Sequence, residues 1–162
     1  MRRLLKQTGK GEFPWSSGHS FFLISHEIGF WRVSVAVKCM IGSLNEADWA
    51  LLDTGAEWSV IGRDTATVIE DELGSPIASS RMSTRFGAID GTLHHVNITL
   101  LAGEEDSGDD LTVETTSFVS EEWEGPVVLG YRGFLERIRF ALDPSIIPGE
   151  QLFYFGLAGS DQ

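Results

Sequence analysis

Ala50-Leu51-Leu52-Asp53-Thr54-Gly55-Ala56-Glu57-Trp58-Ser59-Val60-Ile61 decides how the chain is read. Apolar residues run up to Asp53, a Thr-Gly turn follows, and Ser59-Val60-Ile61 resumes an apolar run. Burying an unpaired carboxylate is costly, so an acid delivered by an apolar strand is placed there for its chemistry or carries dedicated partners. Gly55 lets the backbone turn sharply and approach closely, and the Thr54 hydroxyl can fix the turn with a hydrogen bond.

Strands and turns extend outward from this segment. Upstream, Phe21-Phe22-Leu23-Ile24 and Trp31 to Ile41 read as strands, the second ended by Gly42-Ser43. Downstream, the pattern predicts one helix over Asp64 to Leu73, with an acid at its start and Gly74 as its stop. Ile77 to Phe86 and Thr92 to Ala102 are extended runs, and Gly87-Ala88-Ile89-Asp90-Gly91 between them is expected to be the tip of a β-hairpin. Leu111 to Val119 follows as a strand, then Pro126 to Gly130 as a short buried one. A short helix over Phe134 to Ile138 and strands at Arg139 to Asp143 and Leu152 to Phe155 complete the domain.

The bulk composition agrees with one β-rich domain. A chain of 162 residues can bury a substantial core, and 18 glycines scattered among short apolar runs imply many tight turns. The net charge is −12, yet Arg2, Arg3, Lys6 and Lys10 stand in the first ten residues without an acid. The rest of the chain carries 8 basic against 24 acidic residues, which repels nucleic acid rather than tracking its phosphates. Residues 1–18 are therefore expected to be a flexible basic arm, and 19–162 the folded domain.

Several functional classes find no support. Cys39 is the single cysteine, so no intrachain disulfide forms, and in its strand it reads as a packing residue. No stretch approaches a membrane span and no apolar leader is visible, so no membrane partner and a cytoplasmic setting are expected. His94 and His95 are strand neighbours pointing to opposite faces, unsuited to holding one metal. The acidic run Glu104 to Asp110 lacks the alternating ligands of a calcium loop. No metal and no cofactor are expected.

The Asp53-Thr54-Gly55-Ala56 loop resembles the active-site loop of the retropepsin-like aspartic peptidases. Val127-Val128-Leu129-Gly130 with the helix after it resembles that family's second hallmark, which threads behind the catalytic loop. The glycine-tipped hairpin lies between the two, where the family has its flap. The helix after the loop is more like the cellular and bacterial single-domain members, including the peptidase domain of ubiquitin-shuttle proteins, than the compact retroviral ones.

The resemblance implies an all-β, closed barrel-like subunit with one or two short helices, working as a two-fold homodimer. This chain has one such motif; Asp106-Ser107-Gly108 matches in letters but has no apolar lead-in. Each copy would give Asp53 to a dyad that activates water, with Thr54 bracing the paired loops and Gly55 completing the catalytic turn. Ala56, Glu57, Trp58, Val128 and Leu129 would contact substrate from below, and Gly87, Ala88, Ile89 and Asp90 from the flap. The substrate would be an extended peptide or unfolded protein. Many retroviral members carry Arg directly after the second Leu-Gly; here Tyr131 stands there with Arg132 next, which leaves open whether Arg132 pairs with Glu57. Two alternatives use the same fold: a dimerising or peptide-binding module without turnover, and an enzyme held latent by its basic arm.

Overall fold

The structure, a computed structural model, describes residues 15–27, 29–85, 87–103, 107–147 and 149–159. The protein is all-β with two short α-helices. Its strands are β1 (Ser16–Glu27), β2 (Phe30–Ile41), β3 (Asp48–Leu52), β4 (Ser59–Gly62), β5 (Ala78–Thr84), β6 (Gly87–Leu100), β7 (Leu111–Ser120), β8 (Val128–Leu129), β9 (Ile138–Asp143) and β10 (Leu152–Leu157). Helices α1 (Arg63–Val68) and α2 (Glu70–Leu73) lie between β4 and β5.

The strands form one sheet in the order β5-β6-β7-β4-β8-β3-β2-β1-β10-β9. β6 also pairs with β2, from Cys39 opposite Leu100 to Ile41 opposite Ile98. That extra pairing closes β6, β7, β4, β8, β3 and β2 into a barrel. Two-residue periodicity fills it: His94, Val96, Ile98 and Leu100 of β6 point inward while His95 and Asn97 point out. The core continues through Val37, Cys39, Ala50, Ile61 and Leu129 to Phe134, Phe153 and Phe155. Thr115 is a polar residue in this interior, and its hydroxyl donates to the carbonyl of Val96 at 2.8 Å. Cys39 is fully buried there, which leaves it a packing residue.

The structure corrects two expected boundaries. The first strand begins at Ser16, so residues 16–18 belong to the sheet rather than to a flexible arm; Ser16 pairs with Phe155 and Gly18 with Phe153. Gly18 is required by packing, because a Cβ there would lie 2.3 Å from the carbonyl oxygen of Leu101. Residues 1–14 lie outside the described residues.

The single helix expected over Asp64 to Leu73 is broken at Ile69, whose φ of −104° and ψ of 20° leave the helical region. Thr65, Thr67 and Val68 precede it, and β-branched side chains lose rotamer freedom in a helix. The break lets Ile69 bury completely in the main core. α2 is tied back to the β2–β3 turn, where the Glu72 carboxylate accepts from the backbone N–H and the hydroxyl of Ser43. No helix among the described residues is long and apolar enough to cross a membrane.

Candidate active site

β3 delivers Asp53 and β4 carries the chain away, and β8 threads between them. Leu51 and Leu52 pair in parallel with Val128 and Leu129, while Val60 pairs antiparallel with Val128. The loop between is held by its own backbone. The N–H of Asp53 donates to the carbonyl of Leu129 at 3.1 Å, and that of Ala56 to the carbonyl of Asp53 at 3.2 Å. The N–H groups of Tyr131 and Arg132 donate to the carbonyls of Ala56 and Glu57 at 2.9 and 2.8 Å. Two segments far apart in sequence thus form one rigid unit.

Gly130 makes this crossing sterically allowed. A Cβ at that position would fall 2.2 Å from both the carbonyl carbon and oxygen of Trp58. Its N–H donates to the buried hydroxyl of Ser59 at 3.0 Å, which satisfies a backbone donor that water cannot reach.

Within the loop, Asp53 is exposed and its Oδ1 accepts from the N–H of Gly55 at 2.9 Å. The carboxylate is therefore oriented yet open to solvent. Thr54 and Gly55 are exposed beside it. Arg132 does reach Glu57: its Nη1 lies 2.8 Å from Oε1, and the guanidinium sits 4.5 Å from the centre of the Trp58 ring. The expected short helix is a 3-10 turn, Leu135–Arg137, packed directly behind this unit.

A second apolar cluster, separate from the main core, lies beside the loop. Val60, Phe118 and Val128 form its buried centre, with Ala56, Trp58, Met82, Ile89, Leu93 and Trp123 packed against it. Met82 and Ile89 are cross-strand partners on the β5–β6 hairpin. The hairpin therefore turns one apolar face toward the wall beside Asp53.

The hairpin tip differs from the expectation. Thr84 pairs with Gly87, so only Arg85 and Phe86 connect the strands, and Phe86 lies outside the described residues. Gly87 to Gly91 are strand residues instead. Gly87 opens β6 with φ at 121°, whereas Gly91 permits close approach, since a Cβ would meet the Val119 carbonyl oxygen at 2.4 Å. Ala88 and Asp90 face away from Ile89; Asp90 pairs with Arg81 at 3.2 Å on the outer face. Leu129 is also corrected as a substrate contact: its side chain is fully buried in the main core, and it serves the loop through its backbone.

Sequence patterns assign no role in the site to Met82 or Phe118, and none to the hydroxyl of Ser59. Met82 has a visible signal, as the one large apolar side chain in Ala78–Thr84. Ser59 has none, because its partner is 71 positions away. The described residues hold no grouping of His, Cys, Asp and Glu suited to a metal ion.

Comparison with protein-family models and with curated proteins finds no match. Among solved structures, the chain is similar to the crystal structure of a retropepsin-like aspartic protease from Rickettsia conorii. The two share 14% identity at a TM-score of 0.44, over 92% of this chain and 99% of that one.

Proposed function

We propose that the chain is one subunit of a homodimeric aspartic endopeptidase in which each copy contributes Asp53. The observation that carries this reading is the Asp53 turn itself. Its backbone is clamped by β8, its carboxylate is exposed, and the apolar hairpin face lies beside it. A carboxylate held this way can act on a water, but peptide hydrolysis needs a base and an acid together. One Asp53 per chain supplies half of that pair.

Two such loops meeting at a two-fold axis would place like charges close together, so the pair holds one proton between them. The ionised carboxylate takes a proton from water as its oxygen attacks the scissile carbonyl carbon. The protonated carboxylate donates to the carbonyl oxygen; as the C–N bond breaks, the carboxyl that took the water's proton gives it to the leaving nitrogen, and the other takes a hydroxyl proton back as the product carboxyl group forms. Thr54 and Gly55 form the turn that presents the acid, while Ala56, Glu57 and Trp58 form the floor, supported from beneath by the buried Val128. Ile89 with Met82 closes over an extended peptide and excludes water. Such a reading suits the cytoplasm, where a lone reduced cysteine is at home.

The test is cleavage of a denatured proteome with mapping of new termini, comparing wild type with Asp53→Asn. The amide can still accept from the Gly55 N–H but cannot serve as a base, so cleavage should fall by roughly a thousandfold with an unchanged melting temperature. Activity per chain should also fall on dilution below the dimer constant. Wild-type cleavage by the Asn variant would overturn the mechanism.

A further inference from the structure

The β1–β2 hairpin is longer than the barrel requires. β3 pairs with β2 only from Val35, opposite Leu52, to Cys39, opposite Asp48, and the chain then turns away at Asp53. β2 nevertheless begins at Phe30, and among the described residues its positions 30–34 pair only with β1. At about 3.3 Å per residue, that stretch carries the hairpin roughly 16 Å past the level where β3 ends.

One face of this projecting ribbon carries an exposed apolar pair where a ribbon standing in water would be polar. Ile24 and Val33 are directly opposed across the two strands and are 67% and 63% exposed. By alternation they share a face with Phe22 and Val35, and Val35 packs on the main core. The exposed pair is therefore a continuation of the core's own surface beyond the barrel rim. Two strands without a third strand or a cover are marginally stable in water.

We infer that this hairpin is a docking arm for a second copy of the chain, laying Ile24 and Val33 against the partner subunit. The inference rests on the peptidase reading, which requires two Asp53 carboxylates about 3 Å apart. The arm leaves the sheet at the same end as the strand that delivers Asp53 and overshoots that meeting point by most of its projecting length. A partner close enough to complete the dyad is close enough to meet the arm. Two-fold symmetry doubles the contact, since each copy gives one arm and receives one.

A photo-crosslinking amino acid placed at Ile24 in the full-length chain should yield a covalent dimer on illumination. The same group at Val68, equally exposed on α1 at 70%, should not. Separately, the double variant Ile24→Asp with Val33→Asp should raise the dimer dissociation constant roughly a hundredfold, read by sedimentation. Per-chain cleavage should recover at high protein concentration, because neither residue belongs to the site. An unchanged dimer constant, or crosslinks from position 24 to substrate peptide rather than to the second chain, would overturn the arm and leave the peptidase reading standing. A wild type that neither dimerises nor cleaves at any concentration would overturn both.

Discussion

Arg132 Nη1 lies 2.8 Å from Glu57 Oε1 while its guanidinium covers the Trp58 ring at 4.5 Å from the centroid. One side chain from the β8 segment thereby holds two consecutive residues of the Asp53 loop. The pair answers the question left open by the sequence, with Arg132 standing two positions after Gly130. Tyr131 fills the intervening position and is half exposed.

The pair is itself about half exposed, so solvent screens it and its stabilisation is small. Arg132→Ala should lower stability by about 1 kcal/mol, combining the weakened ion pair with a lost cation–π contact. A double-mutant cycle with Glu57→Gln should give a coupling of about 0.5 kcal/mol that shrinks in 1 M salt. Urea titrations of the four proteins measure it. Additive effects at low salt would show that the two side chains do not act together.

Gly130 makes a sharper prediction. The atoms its Cβ would strike belong to the Trp58 backbone, which cannot move without disturbing the loop that carries Asp53. Gly130→Ala should therefore destabilise by about 3 kcal/mol or more. Gly74, at φ 58° and ψ −158° with an open Cβ direction, pays backbone strain alone and should cost about 2 kcal/mol when changed to Ala. Denaturant midpoints should rank the two variants in that order; the reverse order would mean that close approach is not what fixes residue 130.

The Asp53 turn and most strands are legible because each rests on local signals: an apolar lead-in, a Thr-Gly turn, two-residue alternation. Val127 to Gly130 read locally only as a short buried strand, and its crossing behind the loop is a long-range pairing that the family resemblance alone implies. The break at Ile69 is not legible in the sequence, since helix propensity is local while the burial of Ile69 in the core is tertiary. Gly87 and Gly91 misled in a related way. Glycine marks a turn and also marks close packing, and only the neighbouring Phe118 and Val119 tell Gly91's case apart from a turn. The hairpin arm was invisible because its length is set by where β3 turns away, not by the composition of β1 and β2.

The hairpin beside the site is latched to the end of β7. The Ser120 hydroxyl donates to the carbonyl of Asp90 at 2.7 Å, and the Asp90 N–H donates to Glu122 Oε2 at 2.8 Å. Removing the carboxylate in Glu122→Ala should weaken the latch by about 1 kcal/mol, the net contribution of an exposed hydrogen bond of this kind. Amide exchange at Asp90 should then accelerate about fivefold, and kcat/KM should change more than the melting temperature does. Unaltered exchange at Asp90 would show that Glu122 does not restrain the hairpin.

The alkaline limit of stability should be set in part by Cys39. Burial chiefly, and the neighbouring charge of Asp48 secondarily, push its thiol up from 9.0 to about 12. Below the lower value both folded and unfolded chains keep the proton, and the protected thiol leaves stability undiminished. As pH rises from about 9 toward 12, the unfolded chain releases a proton that the folded chain retains, so unfolding is increasingly favoured. The slope attributable to one such group approaches about 1.4 kcal/mol per pH unit. The informative quantity is the difference between wild type and Cys39→Ala, which isolates the thiol. The variant should start less stable by roughly 1 kcal/mol, the usual effect of trimming a small buried side chain, and should lose stability less steeply above pH 9. Urea midpoints taken at intervals from about pH 8 to about pH 11 measure both slopes. Parallel curves across that range would show that the thiol ionises as readily in the folded chain as in the unfolded one.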